Sequence, residues 1–196
     1  MPSPVIHYCI ANKILTLLNL DRNLFTIGSF APDAHNQTRE GRRKSHFQKI
    51  SNDYDILAFK NKYMMGKFND FALGYYCHLA ADTMSFNNFN LQYLQGKTDE
   101  EKRKRIKICY HDYSVLNSKL INHYQFTKEN LIIPEFLCIN EIQVEGLSSI
   151  ISEFQQNFDH ISKEEILSIL NFQVVLNEIN DIAEKCVVDI RTLRKI

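Results

Sequence analysis

The chain has 196 residues, 44% apolar and 23% charged, an ordinary globular balance with enough length for a sizeable core. Its 23 Lys and Arg equal its 23 Asp and Glu, so no global field draws it to nucleic acid or an anionic membrane, and electrostatic recognition must be local. Prolines stand only at positions 2, 4, 32 and 134, which leaves residues 33–133 free to be helical. The expectation is an all-α, single-domain multi-helix bundle over residues 1–196.

Residues 4–19 place Val5, Ile6, Cys9, Ile10, Ile14, Leu17 and Leu18 at helical spacing, with Pro4 in the first turn. Residues 20–47 contain two glycines and one proline and read as irregular chain, with a short helical turn at 24–30. Long segments of this kind inside compact domains are usually functional. A helix is expected over 53–65, ending near Gly66. The next, 69–88, is apolar nearly all round, the mark of a central buried helix.

After Gly96, Thr98–Glu101 is a capping box that opens a helix running to about 124. Its basic stretch, 102–107, reads as a solvated face with Ile106 and Ile108 turned inward. Further helices are expected at 129–139 and 145–157, a short one after a second capping box at Ser162–Glu165, and a last one over 173–194. No run approaches the roughly 20 apolar residues that span a bilayer. The N-terminus lacks the basic region and cleavage site of a signal peptide. Five widely spaced cysteines without a CxxC fit a reduced, cytoplasmic protein better than a disulfide scaffold.

The stretch GYYCHLAADT (74–83) places His78 and Asp82 one turn apart on an apolar helix. Side chains at i and i+4 share a face and can grip one cation, although a His–Asp hydrogen bond is the plainer reading. Asp33, in GSFAPDA, projects from a loop stiffened by Pro32, or caps a short helix. His46 lies in RRKSHF and His35 in the same irregular segment; each also reads as a surface histidine. His7 sits in the first apolar helix, where a satisfied core histidine is the alternative. Together, imidazoles and carboxylates of this mix suit a hydrolytic zinc site.

The stretches IHYCIANKI, GSFAPDA, KSHF and GYYCHLAADT, in that order, resemble the zinc-dependent phospholipase C family, whose fold is shared with the single-strand-specific zinc nucleases. The resemblance covers roughly the first 90 residues. It implies His7, Asp33, His46, His78 and Asp82 as metal ligands, Asp82 bridging two ions, and Asp33 also acting on the attacking water as the catalytic group. The chain departs from the family pattern in three places. It has no Trp to supply an N-terminal ligand; Asn88 stands where a further histidine belongs; and His160 and Glu164, at HxxxE spacing, fall in polar surroundings. Two zinc ions are therefore expected rather than three.

His111 and Asp112, mid-helix in CYHDYSVLN, are candidates to complete the shell; adjacent helical residues diverge by about 100°, so only one of them faces it. Asp112 is the preferred one, as a ligand or as a group orienting a ligand histidine. Arg42, Arg43 and Lys44 precede His46 and suit a substrate phosphate, unless they are simply a solvated loop. The resulting expectation is a metal-dependent phosphoesterase acting on a phosphoester small molecule, a lipid head group or a nucleotide. The competing expectation, from another class, is a non-catalytic helical metal-containing binding module.

Overall fold

A computed structural model describes residues 2–35, 38–50, 53–159, 161 and 166–194. Among them are eight α-helices and no strand, the all-α architecture expected from the sequence. Helix α1 (Pro4–Leu17) starts where the Ser3 hydroxyl accepts the Ile6 amide and Pro4 fills the first turn. Helix α2 (Arg22–Phe30) is capped by the Asp21 carboxylate on the Leu24 amide and runs directly into a 3-10 turn, Ala31–Asp33. Then come α3 (Arg39–Ser45), α4 (Ile56–Tyr63), α5 (Asp70–Phe89, extended by a π-turn at Asn90–Leu94), α6 (Asp99–Tyr124), α7 (Val144–Asp159) and α8 (Phe172–Arg194).

Helix α5 is the axis of the molecule. Every residue from Phe71 to Asp82 is buried, so no face of this segment meets water. Helix α2 lies on it backbone to backbone. A methyl group at Gly28 would fall on the Phe71 carbonyl, and one at Gly74 on the Phe25 carbonyl, which is why both positions lack a side chain. Helices α4 and α8 also pack on α5, while α1 packs against α2 and α8. The N-terminal end of α7 closes on the Asp33 turn, where the Gln143 amide donates to the Ala34 carbonyl.

The capping box at Thr98 forms, with both reciprocal bonds to Glu101. Four local expectations are corrected. Residues 39–45, read as irregular, form α3, because Thr38 caps the Gly41 amide and Glu40 and the basic run suit its two ends. The helix expected at 53–65 is shorter, since Asp55 caps it at Ala58. The helix expected at 129–139 is absent. Pro134 interrupts it, and the Asn23 side chain takes both the amide and the carbonyl of Ile132, fastening the segment to α2. Ile106 and Ile108 are exposed rather than inward, and Cys109 is the residue that α6 buries there. The second capping box, Ser162–Glu165, and His160 lie outside the described residues.

Candidate metal centre

Five side chains from four separate stretches of sequence converge on one point. Helix α1 contributes His7 from its buried face, and the turn after α2 contributes Asp33. The C-terminal cap of α3 contributes His46, and α5 contributes His78 and Asp82. All but Asp33 are buried. His46 is held by the residues on either side of it. The Tyr75 hydroxyl donates to the Ser45 carbonyl, and Phe47, at φ 50°, is fixed among Phe59, Tyr63 and Tyr75. A bulky residue in left-handed backbone is costly and persists only where packing dictates it.

Hydrogen bonds assign the imidazole tautomers. His78 Nδ1 faces the Ser29 carbonyl at 2.8 Å, and His46 Nδ1 faces the Arg42 carbonyl at 3.1 Å. A carbonyl only accepts, so His78 Nδ1 carries the proton and its Nε2 presents a lone pair. His46 Nδ1 also lies 2.9 Å from the Ser45 hydroxyl, which can donate or accept. The His46 lone pair is placed on Nε2 instead by the Arg42 guanidinium, a donor only, at 3.2 Å. Those two lone pairs meet at 3.3 Å. Beside them, the His7 and His78 rings stack at 3.8 Å. His7 Nε2 and Asp82 Oδ1 stand 3.5 Å apart, at the limit of a hydrogen bond, and among the described residues neither buried atom has another hydrogen-bond partner. Buried polar atoms are almost always satisfied, so facing orphans mark a place for a group that satisfies both.

The spacing fits a cation. Bonds of about 2.0–2.2 Å at tetrahedral angles set neighbouring donors about 3.3–3.6 Å apart. Here His46 Nε2 is 3.3 Å from Asp33 Oδ1 and 3.7 Å from Asp82 Oδ2, and His78 Nε2 is 3.8 Å from Asp82 Oδ2. The donors fall into two sets, His7–His78–Asp82 and Asp33–His35–His46, the members of each within 4.8 Å of one another. The first set is wholly buried; the second reaches the surface through Asp33 and His35.

The electrostatics keep these donors in ligating form. Burial pushes His78 down to about 3, with His7 adding to the effect, so its imidazole is neutral at physiological pH. Burial works against ionisation of Asp33 and Asp82. Interaction with His78, and with His46 and His7 behind it, outweighs that and holds both carboxyls well below the usual carboxylate range, so a proton entering the cluster goes to an imidazole before a carboxylate. Two carboxylates meet the neutral His78 and one guanidinium, that of Arg42, so negative charge is only partly offset in a buried place that a bound cation would suit.

Three groups that the sequence did not single out complete the surroundings. The Tyr54 hydroxyl donates to Asp82 Oδ2 at 2.9 Å, and burial followed by the Asp82 charge raises its pKa, so it stays a donor. The Ser29 carbonyl orients His78, and the α3 cap orients His46. Arg42 was expected at a phosphate, and its guanidinium lies within the cluster itself: 3.7 Å from Asp33 Oδ1, 3.7 Å from Asp82 Oδ2 and 3.2 Å from His46 Nε2. Arg43 and Lys44 lie elsewhere, both paired with Glu40 on the outer side of α3.

His111 and Asp112 do not join the centre. His111 is exposed on α6. Asp112 is buried, but its carboxylate accepts the amides of Ser168, Ile169 and Leu170 at 3.0, 2.8 and 2.9 Å. It ties α6 to the segment before α8, an architectural role that sequence spacing could not reveal.

An open cleft of about 610 Å³ reaches the centre past Asp33, His35 and Arg42, and its opposite wall includes Tyr113, Asn117 and Glu153. A second cleft, of about 670 Å³, lies on the far side of Arg42, against Arg39, Tyr54 and Phe86. No protein-family model, curated protein or solved structure matches the chain. No helix among the described residues is long and apolar enough to cross a membrane.

Proposed function

We propose that this chain is a metal-dependent phosphoesterase of the zinc-dependent phospholipase C type. The observation that carries the proposal is the pair of buried orphan atoms, His7 Nε2 and Asp82 Oδ1, facing each other at 3.5 Å beside the lone pair of His78. His7, His78 and Asp82 would hold the ion, with Asp33 and His46 at its open side. Zinc bound there supplies a Lewis acid that polarises a phosphoryl oxygen and makes water nucleophilic at neutral pH.

The chain's own residues would do the rest. Asp33 has 20% of its side chain exposed at the mouth of the cleft. It is ionised at any physiological pH, so it orients a water by accepting its hydrogen bond. Arg42 stands where a phosphate entering the cleft would meet it, and its planar donors match two phosphoryl oxygens. Tyr54 fixes the Asp82 carboxylate in one orientation. The cleft beyond Asp33 takes the leaving alcohol, and its mixed polar and apolar wall suits a head group better than an acyl chain. All five cysteines are free thiols, which supports a cytoplasmic setting for this activity.

A second reading, a non-catalytic helical module with a structural ion, has its support in Arg42, whose contacts with Asp33, Asp82 and His46 cover the open side of the cluster. One experiment separates the two. The protein is purified without added metal, its metal content is measured, and hydrolysis of bis-nitrophenyl phosphate is followed with and without chelator. Bound metal with chelator-sensitive turnover supports the enzyme. Bound metal without turnover supports the module, and no metal at any zinc concentration contradicts both.

A further inference from the structure

The two donor sets differ in what already satisfies them. In the buried set, His7 Nε2 and Asp82 Oδ1 have, among the described residues, no hydrogen-bond partner beyond each other at 3.5 Å. In the outer set, His46 has one: Arg42 Nη2 lies 3.2 Å from Nε2. A guanidinium only donates, so Nε2 accepts here as the ring's single lone pair and the ring proton sits on Nδ1, beside the Arg42 carbonyl and the Ser45 hydroxyl. That lone pair either accepts the Arg42 N–H or binds an ion; it cannot do both. Arg42 and His46 are i and i+4 across the end of α3, and the side-chain bond to Nε2 and the backbone carbonyl at Nδ1 both come from Arg42. The same guanidinium reaches Asp33 on one branch and Asp82 on the other. It therefore brings a permanent positive charge to two of the three outer donors, Asp33 and His46, and to Asp82 of the buried set beside them.

Resting on the phosphoesterase reading, we propose that Arg42 takes the place of a second metal: this chain binds one ion, in the His7–His78–Asp82 set, and the guanidinium supplies the other positive charge of the centre. The expectation of two ions, drawn from family resemblance, gives way to one ion and one arginine. The arrangement changes what the centre offers a phosphate. A second ion binds oxygen as a point charge and exchanges with the medium, whereas a guanidinium offers planar paired donors and cannot be removed by chelation. It also explains why α3 is so short. The helix needs only enough length to place Arg42 one turn before His46.

The test is metal stoichiometry. The full chain is stripped with chelator, titrated with Zn²⁺, and its bound equivalents measured by elemental analysis after desalting. The expected values are one equivalent for the wild type, two for Arg42→Met and one again for Arg42→Met combined with His35→Ala, which removes an outer donor. Asp33→Ala in the wild-type background keeps one equivalent, because Asp33 is not needed by the buried set. That variant and the wild type decide the matter even if Arg42→Met does not fold. Two equivalents in the wild type falling to one in Asp33→Ala would overturn the proposal and leave the phosphoesterase reading standing. A folded Arg42→Met that still binds one equivalent would also overturn it. No bound zinc in the wild type would overturn both.

Discussion

Replacing Asp112 by alanine removes a carboxylate that holds three backbone amides at 2.8 to 3.0 Å. Of the donors' residues, Leu170 is buried, Ile169 half-buried and Ser168 exposed, so two of the orphaned amides can turn to water and one cannot. A hydrogen bond to a charged group contributes about 1.5–3 kcal/mol net where it is buried and about 1 kcal/mol where water competes. The sum is about 4 kcal/mol, a large share of the 5–15 kcal/mol typical of a whole domain. Asp112→Asn keeps the shape and one acceptor oxygen and should lose about half as much. The pH dependence has a definite sign. Burial opposes ionisation of Asp112, but the amides of Ile169, Leu170 and Ser168 outweigh it and hold the carboxyl below its ordinary value. Such a group stabilises the fold above its unfolded pKa of about 3.9 and loses that contribution as pH falls through the folded value. The gap between wild type and Asp112→Asn should therefore be widest at neutral pH and narrow below about pH 4. Urea denaturation followed by circular dichroism, at pH 7 and again at pH 3, measures it. An alanine variant that loses under about 1 kcal/mol, or an asparagine gap equally wide at both pH values, refutes the architectural role. A folded Asp112→Asn chain that cannot hold metal would restore Asp112 to the centre.

His78→Ala and Asp82→Ala should each weaken metal binding by more than about 100-fold, since even groups that merely orient ligands are worth 10–100-fold. They should also lower the melting temperature of the metal-loaded chain, and folded variants with full metal content would show that these side chains are not ligands. Tyr54→Phe removes the hydroxyl from Asp82 and should weaken zinc binding by about 10-fold; an unchanged dissociation constant in competition with a chromophoric chelator would speak against it. Gly28→Ala drives a methyl group into the Phe71 carbonyl, where backbone cannot yield, and should destabilise by about 3 kcal/mol. Chemical denaturation that finds a loss under about 1 kcal/mol would mean that α2 and α5 have room to separate.

The parts of the fold that were legible in the sequence are those whose cause is local. Helix α5 was readable because a run apolar on every side can only be central, and the start of α6 because a capping box satisfies itself within four residues. The cluster was readable because each of its five side chains sits in a distinctive short context, even though nothing in the spacing shows that they meet. Helix α3 was missed, and with it the difference between Arg42, Arg43 and Lys44. Three adjacent basic residues look alike until a helix assigns them faces, after which Arg42 shares a face with His46 while its neighbours turn to Glu40. Asp112 was misplaced because its partners lie 56 to 58 residues further along the chain, and a carboxylate in a helix does not reveal which amides it will meet. The segment at 129–139 was misread because its apolar spacing resembles a helix, whereas Pro134 and the side chain of Asn23 decide otherwise.

Crystals of the full chain grown with zinc, measured on both sides of the zinc absorption edge, would test the centre most directly. The result expected is an anomalous peak about 2.0–2.2 Å from His7 Nε2, His78 Nε2 and the nearer Asp82 oxygen. Zinc found only at the protein surface, with those three side chains satisfied by one another or by water, would contradict it.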